Sequence, residues 1–153
     1  MNQLYDMSPD DLSEILSLER NAQPSPWARL SFEESLNRSH HCRILKSAVG
    51  IVGYHIICPV ADELHILNLV VARQYQGNGY AHELMQDIFD TAQHLAVGKI
   101  LLEVRASNKV AQSLYRTWGF EQLSIRKNYY QPVEKQAQRE DAIIMLRLLE
   151  QHK

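Results

Sequence analysis

An α/β (α+β) fold with one central, mixed and mostly antiparallel sheet is predicted by three observations. The order of elements runs helices, a block of strands, then strand–helix–strand–helix–strand–strand, which makes six to seven strands and about four helices. The strand–helix–strand step in the middle requires a parallel pair within an otherwise antiparallel sheet. A chain of 153 residues, 45% hydrophobic and 22% charged, suits a single domain over 1–153 with helices covering both faces of the sheet.

Residues 2–6 read as a short edge strand. Ser8-Pro9-Asp10-Asp11 then supplies an N-cap, a first-turn proline and early acids. Leu12, Ile15 and Leu16 form the apolar face of the helix that follows, and the pattern fades into Asn21-Ala22-Gln23-Pro24. Pro24-Ser25-Pro26-Trp27 is a loop that projects an aromatic. Ser31-Phe32-Glu33-Glu34 has a capping-box pattern, which predicts a short helix from Ser31 to about Arg38. Strands are expected at Arg43 to Lys46, Gly50 to about Cys58, and Glu63 to Val71, each rich in Ile, Val or Leu and bounded by turn residues. Ala81, Leu84, Met85, Ile88, Ala92 and Leu95 recur at helical spacing, with Gly98 placed to close that helix. Ile100-Leu101-Leu102 reads as a fully apolar strand core. Ser107 or Asn108 caps a last helix with Ala111, Leu114 and Trp118 inside, closed by Gly119. Strands over about 120–130 and 141–149 surround a polar loop from Gln131 to Glu140.

Composition excludes several functions. Sixteen Lys+Arg against 18 Asp+Glu leave a net charge of −2, with no basic stripe to attract nucleic acid or anionic lipid. Cys42 and Cys58 match no disulfide framework or metal pattern, and read as buried thiols of a reducing compartment. The acidic N terminus does not look like a signal peptide, and no stretch approaches the roughly 18 apolar residues of a membrane span. The expectation is a cytoplasmic monomer with no direct nucleic-acid or membrane contact. Histidines 40, 41, 55, 65, 94 and 152 lack metal-ligand spacing, so solvated or core roles are expected and no metal.

Val71-Ala72-Arg73-Gln74-Tyr75-Gln76-Gly77-Asn78-Gly79-Tyr80-Ala81 joins the third predicted strand in that block directly to the longest helix. Gly77 and Gly79 permit close approach of the backbone, and amides at a helix start favour an anion such as a pyrophosphate. An ordinary glycine turn is the alternative. The loop is not a Walker A sequence, because no Gly-Lys-Ser/Thr follows, and it lacks the third glycine of the dinucleotide fingerprint.

Gln76-x-x-Gly79-x-Ala81 resembles the Q/R-x-x-G-x-G/A signature of the GNAT superfamily of N-acetyltransferases. Asn108-x-x-Ala111-x-x-Leu114-Tyr115-x-x-x-Gly119-Phe120 resembles its second signature, in the family's order and spacing. Pro26-Trp27, Leu102 to Asn108, Ile125 to Tyr130 and Glu140 to Met145 are similar to the RimI-type subgroup, which acetylates the N-terminal alanine of a small-subunit ribosomal protein. The resemblance implies the GNAT fold, acetyl-CoA as co-substrate, and the N-terminal segment of a ribosomal protein as acceptor. It implies that backbone amides of Gly77, Asn78, Gly79, Tyr80, Ala81 and His82 hold the pyrophosphate. Those of Leu69, Val70 and Val71 would meet the oxyanion, at a strand that splays from its neighbour. Asn108 would bind the pantetheine arm, with a plain N-cap as the competing role. His82 stands where the family often has arginine, so phosphate attraction there should be weaker or pH-dependent.

Acetyl transfer needs a neutral amine, a stabilised oxyanion and a proton for the departing thiolate. An α-amino group, with a pKa near ~8 against ~10.4 for lysine, needs only modest help to lose its proton. Glu103 is the candidate base: it interrupts the apolar run Ile100 to Val104, which should raise its pKa, and the resemblance places the proton acceptor here. A strand-end glutamate paired with Arg105 or facing water is the alternative. Tyr115 is the candidate acid, a phenol protonated at neutral pH, against the alternative of a packed ring. Trp27, Tyr129 and Tyr130 could line the acceptor groove or simply pack. Two other functions stay open: a GNAT enzyme with another N terminus or a small amine as acceptor, and a non-catalytic acyl-CoA-binding module, which would need neither Glu103 nor Tyr115.

Overall fold

A computed structural model describes residues 2–38, 40–131 and 139–150. Seven strands and four helices lie among them: β1 Gln3–Asp6, α1 Leu12–Ala22, α2 Arg29–Asn37, β2 His41–Ser47, β3 Gly50–Val60, β4 Glu63–Val71, α3 Tyr80–Leu95, β5 Lys99–Arg105, α4 Lys109–Thr117, β6 Glu121–Tyr130 and β7 Glu140–Leu148. The sheet order is β1-β2-β3-β4-β5-β7-β6. The β4–β5 pair is parallel, with Glu63 opposite Lys99 and Ile66 opposite Leu102. The β1–β2, β2–β3, β5–β7 and β6–β7 pairs are antiparallel. The expected polar loop lies mostly at 132–138, outside the described residues, as does His152.

The chain divides into two compact units. In the first, Met1–Pro59 with Leu67–Thr91, alternate residues of β2 face opposite ways. Ile44 joins Tyr54, Ile56 and Val70 in a cluster with Leu12 and Ile15 of α1 and Phe32 of α2. Its neighbour Leu45 packs instead with Val52 and with Leu84 of α3. Ile51 joins Tyr54 and Ile56 on one face despite the odd spacing because of a bulge: Leu45 lies opposite Gly53 while Lys46 lies opposite Ile51, so β3 carries one extra residue.

The start of α1 follows the sequence reading: Pro9–Asp11 is a short 3₁₀ turn, and the Ser8 amide donates to Asp11 Oδ2 at 2.8 Å. For α2 the reading is corrected. The helix begins at Arg29 with Ala28 as N-cap, and Ser31 caps nothing. Trp27 and Phe32, at the N′ and N4 positions, pack ring on ring at 5.2 Å, and this hydrophobic staple sets the start two residues early.

The second unit is Val60–Ile66 with Ala92–Lys153. The end of α3 lies in it and also departs from expectation. Ala96, at φ 54°, is the left-handed residue, and the Val97 amide reaches back to the Ala92 carbonyl at 3.2 Å. This is a Schellman closure, completed by burial of Val97. Gly98 comes two residues too late to close the helix; its amide bonds the Asp62 carbonyl at 3.0 Å. Leu95, expected inside, is exposed.

β5 is not apolar throughout. Ile100, Leu102 and Val104 are buried, while Leu101 is half-buried and Glu103 exposed, the alternation of a strand. In α4 the inward side chains are Gln112 and Tyr115, with Ala111, Leu114 and Trp118 only partly covered. β6 forms the outer edge, and its pairing to β7 breaks register between Gln122 and Ser124 and again between Arg126 and Tyr130. Within the second break Asn128 sits at φ 52°, its amide bonded to Asp141 Oδ1 at 2.9 Å.

Candidate active site

In the first unit the turn after β4 is held by its own side chains. The Gln76 side-chain amide donates to the Val71 carbonyl at 3.2 Å, and that of Asn78 to the Tyr75 carbonyl at 2.9 Å. Gly77 and Gly79 sit at φ 85° and 81°, and a Cβ at either would meet nothing within 4 Å. Glycine is therefore required here by backbone angle, not by crowding, and the space above both Cα atoms is open. The Gly79 carbonyl is the first acceptor of α3, taken by the His82 amide at 3.1 Å and the Glu83 amide at 3.3 Å. The His82 N–H thus bonds within the first turn of the helix, and the amides ahead of it remain outside the helix ladder.

Leu69, Val70 and Val71 form the end of β4. Val70 lies in the α1–α2 core, while Leu69 and Val71 pack towards Leu45, Val52 and Leu84. Trp27 does not project. It is partly buried against that same α1–α2 core, and its amide donates to Glu19 Oε2 at 2.9 Å.

In the second unit Glu103 lies on the exposed row of β5, opposite Ile144 of β7. It is exposed, not enclosed by the apolar run it interrupts, although Ile144 lies beside it on the same face. Its carboxylate faces the Arg126 guanidinium at 3.4 Å. Arg126 in turn lies over the Tyr129 ring, 5.3 Å from the centroid. The Tyr130 hydroxyl is pushed up to about 12, first by burial and then by the negative charge of Glu103, with Arg105 opposing. Tyr115 is buried, its ring edge-on to Phe120 at 5.7 Å. Burial, and after it Tyr130, pushes its hydroxyl up to about 12. Glu103, Tyr130 and Tyr115 are thus linked electrostatically, and both phenols stay protonated at neutral pH.

Asn108 is the N-cap of α4, its Oδ1 accepting the Ala111 amide at 3.1 Å, so the capping role is filled and its NH₂ group lies outside that bond. Ahead of it, Glu140 accepts the Ser107 amide at 2.7 Å through Oε1 and Arg105 Nη1 at 3.0 Å through Oε2. Arg105 also stacks on the Tyr130 ring at 4.5 Å and donates to the Gln131 carbonyl at 3.2 Å. The Ser107 hydrogen bonds, more than Arg105, hold the Glu140 carboxyl below its usual range. Burial pushes the Cys42 thiol up to about 11, away from nucleophilic use.

Sequence reasoning missed Glu19 and Asp87, and named Glu140 within a resembling segment without its pairing to Arg105 and Ser107. Glu19 follows Leu12 and Ile15 at helical spacing, and Asp87 sits among Leu84, Met85 and Ile88, so both fall on inward faces, and that was the available signal. Asp87 bridges the fully buried His55 at 2.7 Å and Arg43 at 2.7 Å, so His55 is a core histidine but only half satisfied: its Nε2 is bonded, and its buried Nδ1 has no partner among the described residues.

The acetyltransferase (GNAT) family model matches residues 4–120, more than three-quarters of the chain and both signature segments. The chain belongs to the GNAT acetyltransferase family. This GNAT chain is 32% identical over 145 residues to the [ribosomal protein bS18]-alanine N-acetyltransferase of Escherichia coli strain K12, covering 95% of this chain and 96% of that protein. It is 31% identical to the Haemophilus ducreyi protein of the same name, over 88% and 92% of the two chains. The crystal structure of the Escherichia coli ribosomal-protein-S18-alanine N-acetyltransferase superposes on this GNAT chain with a TM-score of 0.91 at 30% identity, over 100% of this chain and 97% of that one. The GNAT fold expected from the sequence is therefore the fold observed.

Proposed function

We infer that the chain acts as one acetyltransferase domain, moving the acetyl group of acetyl-CoA to the N-terminal alanine of ribosomal protein bS18. The observation that carries this is the placement of three candidate side chains in the second unit. Glu103 stands exposed on β5, 3.4 Å from Arg126, and Tyr115 lies on α4, the helix whose N-cap is Asn108. Full-length similarity to enzymes named for that reaction supports the choice of acceptor.

In this reading the amides of Gly77 to Ala81 bind the pyrophosphate, where open space and a helix start favour an anion. The amides of Leu69 to Val71 meet the oxyanion, and the Asn108 NH₂ group holds the pantetheine arm. Glu103 accepts a proton from the α-amine, whose nitrogen attacks the thioester carbon. The C–S bond breaks as the tetrahedral adduct collapses, and Tyr115 gives its phenolic proton to the leaving thiolate. The Pro26–Trp27 segment, Tyr129 and Tyr130 contact the acceptor peptide. A sensor that only bound acyl-CoA would need neither Glu103 nor Tyr115.

Incubation with acetyl-CoA and a mixture of small-subunit ribosomal proteins, followed by mass spectrometry, tests the reading. One acetyl group on the N-terminal alanine of bS18 is expected. Acetylated lysines, or no protein product, would overturn it.

A further inference from the structure

Glu19 is a fully buried acid with no part in the chemistry above. Its Oε1 accepts the Tyr54 hydroxyl at 2.6 Å and Asn68 Nδ2 at 3.2 Å, and its Oε2 accepts the Trp27 amide at 2.9 Å. The Asn68 carbonyl oxygen is in turn held by Gln23 Nε2 at 2.9 Å. A second path closes on the same residue, because the Trp27 ring packs on Phe32 at 5.2 Å and Phe32 on Tyr54 at 6.1 Å. One carboxylate therefore joins α1, the loop before α2, β3 and β4, and two independent paths converge on Trp27. A buried acid is costly to maintain, and an apolar side chain could fill the same place in the core. What an apolar side chain could not do is accept the loop amide.

We propose that Glu19 is a positioning residue for the acceptor: it fixes the loop at Trp27 in the place from which the loop contacts the incoming peptide. This rests on the acetyltransferase reading, in which Pro26–Trp27 lies on the acceptor side. Glu19→Gln isolates the effect. The variant keeps one acceptor oxygen and gains an NH₂ group, which must point at a donor in either orientation. Keeping the oxygen towards Tyr54 and Asn68 satisfies two donors and releases the Trp27 amide.

Steady-state kinetics with an alanine-starting peptide and acetyl-CoA test the proposal. Losing one charge-assisted hydrogen bond should raise the acceptor KM of Glu19→Gln about tenfold, with kcat and the acetyl-CoA KM within about twofold of wild type. Tyr54→Phe, which leaves the Trp27 bond in place, should keep the wild-type acceptor KM even where its Tm falls. An unchanged acceptor KM in Glu19→Gln, or equal movement of both KM values, overturns the proposal while wild-type activity still upholds the enzymatic reading. A wild type that modifies no alanine-starting peptide removes both. If Glu19→Gln does not fold, amide exchange of the wild type decides. Saturating peptide must slow exchange at the Ser25, Trp27 and Ala28 amides, and no slowing refutes the role.

Discussion

Gly79→Ala separates the cost of a backbone angle from the cost of a blocked ligand. At φ 81° an alanine is in the left-handed region, but its methyl meets nothing within 4 Å. The stability loss is therefore the conformational term alone, roughly 1–2 kcal/mol. At about 2–4 °C per kcal/mol for a chain of this size, Tm should fall by roughly 2–8 °C. Gly119→Ala is the contrast. It has a similar φ of 84°, but its Cβ would lie 2.7 Å from Arg147 Nε, which donates to the Trp118 carbonyl at 3.0 Å. Adding the loss of a charge-assisted hydrogen bond, about 1.5–3 kcal/mol, makes it the less stable variant. Function should rank them the other way. In Gly79→Ala the methyl stands where the pyrophosphate is proposed to lie, and a tenfold or greater rise in the acetyl-CoA Kd is expected, about 1.4 kcal/mol. Calorimetric titration with acetyl-CoA beside thermal melts of both variants reads both effects. Wild-type affinity in Gly79→Ala would show that the open turn does not hold the nucleotide.

Three further outcomes follow from the second unit. Glu103→Gln should flatten the alkaline-rising limb of kcat/KM while acetyl-CoA binding persists, and an unchanged pH profile would remove Glu103 as the base. Tyr115→Phe keeps the ring against Phe120, so it should fold normally yet lower kcat by at least about tenfold; full activity would end its role as the acid. For Glu140 the folded carboxyl titrates below its unfolded value. Its contribution is fully present above the ordinary value of about 4.3 and fades as pH falls through the lower, folded one. The gap in Tm between wild type and Glu140→Gln should therefore be widest near neutrality and close in acid; a gap independent of pH would contradict the pairing.

Much of this was legible from residue order. The spacing of Leu84, Met85, Ile88 and Ala92 located α3, and the strand–helix–strand step required the parallel β4–β5 pair. Boundaries set by tertiary packing were not legible. The staple of Trp27 on Phe32 outweighed a good capping-box pattern at Ser31, and burial of Val97 closed α3 through an alanine although a glycine stood nearby. Glu103 was read by the apolarity of its sequence neighbours. Strand alternation sends those neighbours to the other face, so its environment is set by Arg126 and Tyr130 from a strand some twenty residues on. The same limit hid the pairing of Glu140, whose partners Arg105 and Ser107 are more than thirty positions away.

The two register breaks in β6 bear on how the molecule behaves in a crowded solution. A terminal strand ten residues long with Leu123, Ile125 and Tyr129 outermost would ordinarily invite a neighbour's strand to add on, the first step of aggregation. The kinks at Leu123 and Asn128 interrupt the row of hydrogen-bonding groups that such a guest would have to follow. β6 can thus keep apolar and aromatic side chains outermost without offering a straight template for fibre growth.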